Sequence, residues 1–275
     1  MEASINAMPE TPMSRYTTAA LDSLARQFDA DGMVVLRRHF PKDVLLKWRN
    51  AFDVLLEQRL RESATAVRGP NRHYITLPFA GDFADEAIFA DPDVLGIVER
   101  VAGDEPVMCQ LASDTPLHGS DYQDVHRDTP ALFDGFPETP SFQLAVNFPL
   151  CDVTPENGPF ETTLGTHRMP DKQAQEAYRT GQAPMHTITM ELGDVMIRDV
   201  RALHRGTPNL TQAPRPMVVI GYSRSWYFRP EVKIDVPESV YQGLSARGKR
   251  LLRYMPRVDD VDVGAAGESY TKFAY

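Results

Sequence analysis

Cysteine, long apolar runs and clustered positive charge are all scarce in this chain of 275 residues. The two cysteines, Cys109 and Cys151, do not form a CxxC pair, so the sequence indicates neither a disulfide framework nor a thiolate metal site. No apolar run approaches the roughly 18 residues that a membrane-spanning helix needs. Residues 1–17 also lack the apolar stretch of a signal peptide. We therefore predict a cytoplasmic protein without a membrane partner.

Charge and composition exclude further classes of protein. The chain has 29 lysines and arginines against 38 aspartates and glutamates, a formal net charge of −9, and no basic block. Because phosphate backbones are bound by clustered positive charge, we predict no nucleic-acid partner and expect a small-molecule substrate instead. Hydrophobic residues make up 42% of the chain, enough for a sizeable core. The oligomeric state is left open.

The spacing of apolar residues divides the chain into layers. Apolar positions at helical spacing predict helices over 18–30 and 41–61, and a third follows near Asp91. Beyond Glu105, short runs rich in valine, isoleucine and phenylalanine alternate with proline, glycine and aspartate, as in antiparallel barrels and sandwiches. We therefore predict a mainly β fold with flanking helices. Its expected parts are an arm (1–17) and one domain (18–275), which comprises a helical layer (18–105), a β-core (106–230) and a C-terminal helix and tail (231–275) with the helix at 239–254.

One short motif carries candidate metal ligands. His126 and Asp128 lie two residues apart, so on a strand both side chains would point to the same face. His204 follows far downstream, next to a predicted strand end. Two imidazoles and one carboxylate form the facial triad of non-haem iron(II) oxygenases, which leaves three coordination positions open. The HxD pattern alone arises often by chance, so the motif needs further support.

A positively charged residue downstream supplies that support. Arg215 follows His204 by eleven residues, at the start of a predicted strand. A 2-oxo acid that chelates iron at one end has a second carboxylate at the other, and the planar guanidinium of arginine binds carboxylates in a two-point contact. Gln123 and Asn147 are further candidates for cosubstrate contact. For both, an ordinary polar position in a strand is an equally good interpretation.

These motifs resemble those of the phytanoyl-CoA dioxygenase family, from about Ala25 to about Trp226. The carrying segments are DADGMVVLRRHF, FADPDVLGIVERVAGDE, HRD, ENGPFETTLGTHR and HRGTPNLTQAPRP. The resemblance implies a double-stranded β-helix (jelly-roll, cupin-like) core. It also implies iron(II), 2-oxoglutarate and dioxygen, and oxidation, most simply hydroxylation, of a small organic substrate with release of succinate and carbon dioxide. Several members have a serine two residues after the distal histidine. Here that residue is Gly206, and we expect Thr207 to replace the serine.

Substrate identity is not encoded in any motif, but several side chains are candidates for lining the pocket. For each of them, a packing role with one satisfied polar group is the more common alternative. The candidates are Arg72, His73, Tyr74, His118, Tyr222 and Trp226. Two other functions remain open. One is a cupin-type zinc or manganese hydrolase or isomerase with the same ligands, which would have no use for Arg215. The other is a binding protein with a relict site, against which the intact ligand set argues.

Overall fold

A computed structural model describes residues 14–61, 68–129, 132–133, 139–229 and 232–259. Its helices are α1 (Thr18–Asp31), α2 (Lys42–Arg61), α3 (Glu86–Phe89), α4 (Pro92–Ala102), α5 (Asp171–Arg179), α6 (Glu238–Gly243) and α7 (Ala246–Leu251). Its strands are β1 (Met33–Leu36), β2 (Arg72–Thr76), β3 (Val107–Pro116), β4 (Gln143–Pro149), β5 (Phe160–Thr162), β6 (His186–Ile188), β7 (Val195–Asp199), β8 (His204–Gly206), β9 (Met217–Ser223), β10 (Val236–Pro237) and β11 (Arg257–Val258).

Two antiparallel sheets contain some of the residues predicted to be functional, among them Asn147 and His204. The larger has six strands in the order β1-β7-β4-β9-β3-β2, and the smaller has three in the order β6-β5-β8. Every neighbouring pair in both sheets is antiparallel. A register shift between Met108 and Gln110 marks a β-bulge at Cys109, and beyond it Gln110 lies opposite Gly221. Because a bulge re-aims the side chains that follow it, this shift decides which face of β3 points toward the site.

The helices cover one face of the larger sheet. Helix α1 is capped at its start by Thr17, whose hydroxyl accepts a hydrogen bond from the Ala20 amide, and at its end by Gly32, which has φ of +82°. Both ends agree with the sequence prediction, since a left-handed C-terminal residue favours glycine. The apolar faces of α1, α2 and α4 join the outward side chains of the sheet in one core, centred on side chains such as Trp48 and Phe148.

Residues 14–17 are held against α4, although the sequence predicts them as the end of a polar arm. Asp93 is 1% exposed and accepts hydrogen bonds from the amides of Arg15 (2.9 Å) and Tyr16 (3.3 Å) and from the hydroxyl of Ser14. A buried carboxylate needs such donors to replace water. The last residues of the predicted arm are therefore hydrogen-bonded to the helical layer. Residues 1–13 lie outside the described part of the chain.

One predicted helix is wrong in detail. The sequence predicts a single helix over 239–254, whereas the structure has α6 and α7 separated at Leu244, which is extended. Ser245 explains the break, because its hydroxyl accepts a hydrogen bond from the Gly248 amide and starts a new helix. Residues 62–67, 130–131, 134–138 and 230–231, and residues 260–275 of the tail, fall outside the described residues. No described helix is long and apolar enough to cross a membrane.

Candidate metal and cosubstrate site

His126, Asp128 and His204 converge at the edge of the smaller sheet. Asp128 Oδ1 lies 3.8 Å from His126 Nε2 and 3.4 Å from His204 Nε2. All three potential ligand atoms are within 4.8 Å of one another. Adjacent ligands of an octahedral ion at about 2.1 Å are separated by about 3 Å, so a small inward movement would complete a site. Arg127, between the first two ligands, points away and donates to the carbonyls of Thr166 and Met169.

Backbone contacts fix both imidazoles with the same nitrogen facing Asp128. His126 and His204 exchange both of their backbone hydrogen bonds at 3.0 Å, in an isolated bridge rather than the predicted strand. The Nδ1 of His126 is 2.7 Å from the carbonyl of Asp124, and that of His204 is 2.9 Å from the carbonyl of Ala202. Nδ1–H therefore donates in each ring, which leaves the lone pair of Nε2 for a metal. Burial, and then the charge of His204, lowers the pKa of His126 to about 4.

The carboxylate of Asp128 is held by an arginine from the larger sheet. Arg198, on β7, donates from Nη2 to Asp128 Oδ2 at 2.7 Å and from Nε to Asn147 Oδ1 at 3.1 Å. Its guanidinium also lies 5.0 Å above the ring of Phe160. Burial alone would raise the pKa of Asp128, but Arg198 and His204 outweigh it and hold that pKa well below its usual value. The arrangement leaves Oδ1 directed toward the two histidines.

Arg215 and the three candidate metal ligands line one cavity. It is 2% exposed, donates one hydrogen bond to the Gly158 carbonyl, and has Nε buried without a partner. Among the described residues, no carboxylate lies within ion-pairing distance of it. Burial lowers the pKa of Arg215 to about 10, so the group remains charged at pH 7. A buried guanidinium without a carboxylate is costly, and such a group commonly awaits an anionic ligand.

Comparison with known proteins identifies the family of the chain. Residues 28–217, more than half of the chain, match the family described as phytanoyl-CoA dioxygenase (PhyH). The chain belongs to this family. It is thus an iron- and 2-oxoglutarate-dependent dioxygenase. Dioxygenase olcK of Penicillium canescens is 22% identical over 251 residues, 86% of this chain and 81% of olcK. Iron/alpha-ketoglutarate-dependent dioxygenase ausO of Aspergillus calidoustus is 23% identical over 139 residues, 49% of this chain and 47% of ausO.

Solved structures show the same fold as this dioxygenase at low sequence identity. The epimerase SnoN, in complex with Fe³⁺, alpha ketoglutarate and nogalamycin RO, is 20% identical with a TM-score of 0.60, over 78% of this chain and 88% of SnoN. HygX from Streptomyces hygroscopicus, with nickel, 2-oxoglutarate and hygromycin B bound, is 18% identical with a TM-score of 0.59, over 86% of this chain and 96% of HygX. The likeness establishes the fold of the dioxygenase, and the epimerase activity belongs to SnoN.

Replacing Arg198 with glutamine should weaken metal binding by the dioxygenase about 10- to 100-fold, the usual effect of losing a residue that orients a ligand. The affinity falls because the contact that orients Asp128 is lost. Arg198→Lys should have a metal affinity between those of the wild type and Arg198→Gln. Isothermal titration of the apoprotein with nickel(II) measures this affinity. Arg37→Gln removes the same charge from an exposed side chain paired with Asp194 and serves as the control. Equal affinity in Arg198→Gln and Arg37→Gln would contradict the positioning role.

Gly206 of the dioxygenase occupies the place where several family members have serine, and the structure gives a physical reason. A Cβ atom at Gly206 would lie 2.6 Å from Arg72 Nη1 and 2.7 Å from Gln123 Oε1. Neither neighbour can withdraw freely. Arg72 donates to Asp114 (2.9 Å) and to the Thr207 carbonyl (2.7 Å), while Gln123 Oε1 accepts from the Gly206 amide (2.8 Å). The two side chains thus take up the space that a serine would need.

We expect Gly206→Ser to destabilise the dioxygenase by about 1–3 kcal/mol, because the added atoms overpack a filled site. Denaturant unfolding of the purified variant measures the change. Gly243→Ser is the matched control, since a Cβ atom there would meet nothing within 4 Å. A Gly206→Ser protein as stable as Gly243→Ser would show that Arg72 and Gln123 can move aside without cost.

The cavity contains some of the predicted contact residues and excludes others. Gln123, Asn147, Arg215 and Tyr74 line it together with the three metal candidates. Thr207 does not: it is buried, and its hydroxyl donates to the Pro159 carbonyl at 2.8 Å, so its predicted replacement of the family serine is not supported. Asn147 contacts Arg198 rather than standing free to bind a cosubstrate.

Five of the six predicted substrate contacts lie outside the cavity lining. Arg72 donates to Asp114 and to the Thr207 carbonyl. Tyr222 faces the opposite side of the sheet, where its hydroxyl donates to the Phe89 carbonyl. Trp226 is 61% exposed and packs near Phe142 and Tyr227. His73 and His118 are likewise absent from the lining. Tyr222 is outside the cavity because side chains alternate between the two faces of a strand. Trp226 and His118 are outside it because they follow the ends of β9 and β3.

Sequence reasoning missed several polar residues that line the cavity. They are Arg68, Gln110, Asp114, Gln143, Arg198 and Arg229. For Arg198 a signal was present, because it is the single positive charge in a strand, Val195–Asp199, whose five positions are all buried. A positive charge at a buried strand position requires a partner and thus indicates a site.

Proposed function

We propose that this dioxygenase hydroxylates a small organic substrate, with iron(II) bound by His126, Asp128 and His204. We further propose that Arg215 binds the distal carboxylate of 2-oxoglutarate. The observation that carries the proposal is one cavity that holds both a convergent His-Asp-His set and a buried arginine without a carboxylate among the described residues. A zinc or manganese hydrolase would use the same ligands but gives no reason for burying Arg215, and the family match favours the oxygenase.

The residues present fit the two groups. Three ligands, one an anionic carboxylate, suit iron(II) and leave three octahedral positions for other ligands. When bound, iron(II) and 2-oxoglutarate supply the oxidising chemistry, with dioxygen consumed and succinate and carbon dioxide released. Arg198 keeps Asp128 oriented, and Arg215 fixes the far end of the cosubstrate. The cavity also has apolar walls, which exclude water; they include Phe160, Met196 and Met217.

The architecture belongs to the same proposal. We infer that the six-stranded and three-stranded sheets form the two sides of a double-stranded β-helix, within one oxygenase domain over 18–275. Hydroxylation is the simplest outcome of the chemistry, but solved structures of this fold include an enzyme described as an epimerase and one described as a carbocyclase. The fold therefore does not determine the outcome, which depends on how a substrate is held near the metal.

Anaerobic titration with iron(II) and 2-oxoglutarate tests the ligand set. The wild-type protein should develop the weak visible charge-transfer band of the chelate, and His204→Ala and Arg215→Ala should lose it. Absence of the band together with tight zinc binding would overturn the proposal. Succinate release first identifies a substrate. Its reaction under ¹⁸O₂ then distinguishes the possible outcomes, because hydroxylation places one labelled oxygen atom in the product, whereas desaturation or epimerisation places none.

A further inference from the structure

A second pocket, here called the side pocket, borders the catalytic cavity near the candidate metal ligands. Gln143 and Arg229 line both spaces, and Phe228 lines only the side pocket. The hydroxyl of Thr129, the residue after Asp128, donates to Gln143 Oε1 at 3.1 Å and lies 3.4 Å from Arg229 Nη1. The boundary between the two spaces therefore contains side chains that contact the chain segment of Asp128.

The side pocket lies at one end of the larger sheet. Three of its lining residues pair in register there, since Ser223, the last residue of β9, lies opposite Val107 of β3 and Gln143 of β4. Arg215 precedes the first residue of β9 and so lies at the other end of that strand. Six steps along a strand span about 20 Å, so the side pocket and Arg215 are well separated.

Asp128 is tied to the same end of the sheet as the side pocket. Its amide donates to the carbonyl of Val200 at 2.9 Å, and Val200 follows Asp199, which pairs with the second residue of β4. If 2-oxoglutarate extends from the metal toward Arg215, it points away from the side pocket. The side pocket and the part of the cavity beside it then remain for the substrate.

Apolar groups form much of the side pocket. Val232 lines it and belongs to one buried apolar cluster with Ala145 and Val200, which line the catalytic cavity, so apolar surface continues from one space to the other. Phe228 and Tyr254 add aromatic rings on the solvent side, where they are 61% and 54% exposed. Exposed apolar side chains grouped beside a cavity commonly mark a surface that binds an apolar ligand.

The polar groups of the side pocket are engaged or neutral. The hydroxyl of Ser223 donates to the Tyr227 carbonyl at 3.2 Å. Burial raises the pKa of the Cys109 thiol to about 11, so the thiol is uncharged at pH 7. Gln143 and Arg229 stand at the boundary with the catalytic cavity, and both contact one hydroxyl there. Among the described lining residues there is no carboxylate or ammonium group, so the pocket favours an uncharged apolar group.

Hydrogen bonds fix the C-terminal wall of the side pocket. The Ile234 amide donates to the sulfur of Met255 at 3.4 Å, and β10 pairs with β11. Arg253 donates to the carbonyls of Glu105 and Pro106, just before β3. The segments that carry this wall are thus joined to each other and to the larger sheet, so the pocket is formed before a ligand binds.

We propose that the side pocket binds an uncharged apolar group of the substrate, such as an aromatic or aliphatic ring, while the carbon to be oxidised lies in the catalytic cavity beside the metal ligands. The inference rests on the proposed function, because the metal and 2-oxoglutarate define which side of the cavity the substrate occupies. It narrows the substrate class to molecules with an apolar group close to the reacting carbon. A uniformly hydroxylated substrate would leave the apolar walls without a partner.

The test uses anaerobic protein loaded with manganese(II) and saturating 2-oxoglutarate, and measures the proton NMR line widths of two probes. Cyclohexanol and myo-inositol share a six-carbon ring and differ in their number of hydroxyl groups. The paramagnetic ion broadens only a probe that binds close to it, and zinc(II)-loaded protein gives the diamagnetic reference. Cyclohexanol should be broadened in a saturable way and should bind at least about 10-fold more tightly than myo-inositol, because its ring loses apolar surface to water on binding.

Two variants locate the binding in the side pocket. Phe228→Ala removes an exposed ring and should weaken cyclohexanol binding about 3- to 10-fold, whereas Val232→Phe fills the pocket and should weaken it at least as much. Leu210→Ala is the control, because Leu210 is 67% exposed and lines neither space. Circular dichroism shows whether each variant has kept its fold.

The outcomes separate this inference from the proposed function. Equal binding of the two probes, no broadening of cyclohexanol by the loaded wild type, or wild-type affinity in both side-pocket variants would each overturn the inference. So would a Phe228→Ala protein that is monomeric in gel filtration where the wild type is a dimer, since the exposed rings would then belong to an interface between copies. Failure of the wild type to bind 2-oxoglutarate in the loading step would instead overturn the proposed function.

Discussion

Asp128→Ala should reduce turnover to the background of the assay and weaken metal binding by at least about 100-fold. Replacing a residue that merely orients a ligand costs about 10- to 100-fold, so removing the ligand itself should cost more. The structure adds a second cause. Arg198 now donates to Asp128 Oδ2 at 2.7 Å, and without that carboxylate its positive charge would remain close to the cation it helps to hold. Calorimetric titration with nickel(II) and succinate release measure the two effects.

Asp124 offers a matched control for that substitution. It lies four residues away, its side chain is exposed, and only its backbone carbonyl contacts His126. Asp124→Ala therefore removes the same charge without removing a ligand, and its metal affinity should equal that of the wild type. An Asp128→Ala protein that binds metal as tightly as Asp124→Ala would refute the ligand assignment. Circular dichroism of both variants shows whether either has lost its fold.

Two of the candidate metal ligands could be predicted from sequence because they are close together in the chain. Side chains two residues apart in an extended backbone point to the same face, so His126 and Asp128 can act together. In the structure they approach each other, and Arg127 between them points the other way. His204 is distant in sequence, but a backbone bridge places it directly opposite His126. Arg215 was indicated by its position before an apolar strand.

The remaining polar lining of the cavity could not be predicted in this way, because its position depends on irregular features. A bulge at Cys109 reverses the faces of β3 at that point, and no local sequence signal marks it. Arg68 and Arg229 lie outside the regular strands, where periodicity gives no direction. Tyr222 could have been excluded from sequence, however. If Arg215 faces the cavity, alternation along β9 turns Tyr222 to the opposite side, and its hydroxyl indeed contacts Phe89.

Arg215→Gln should weaken 2-oxoglutarate binding about 30- to 1000-fold, since losing one partner of a buried charge pair costs roughly 2–4 kcal/mol. Metal affinity should change little, because Arg215 contacts none of the three ligands. Lysine at this position should retain part of the affinity, as it keeps the charge but loses the planar fork. The measurement is an anaerobic titration of the iron(II)-loaded protein with 2-oxoglutarate, monitored through the charge-transfer band. Carried out on the wild type and on the glutamine and lysine variants, it gives the affinity of each for 2-oxoglutarate.

The same substitution should leave the stability of the apoprotein almost unchanged, although it weakens binding of 2-oxoglutarate. In the apoprotein Arg215 is buried without a carboxylate among the described residues, so its removal relieves a desolvated charge and offsets the lost bond to the Gly158 carbonyl. The melting temperature of apo Arg215→Gln should therefore stay close to that of the wild type. With metal present, 2-oxoglutarate at 100 times its Kd should stabilise the wild type by about 2.7 kcal/mol, and the same concentration should stabilise the variant far less. A variant that is strongly destabilised as apoprotein, yet stabilised by 2-oxoglutarate like the wild type, would show that Arg215 serves the fold and that another group binds the cosubstrate.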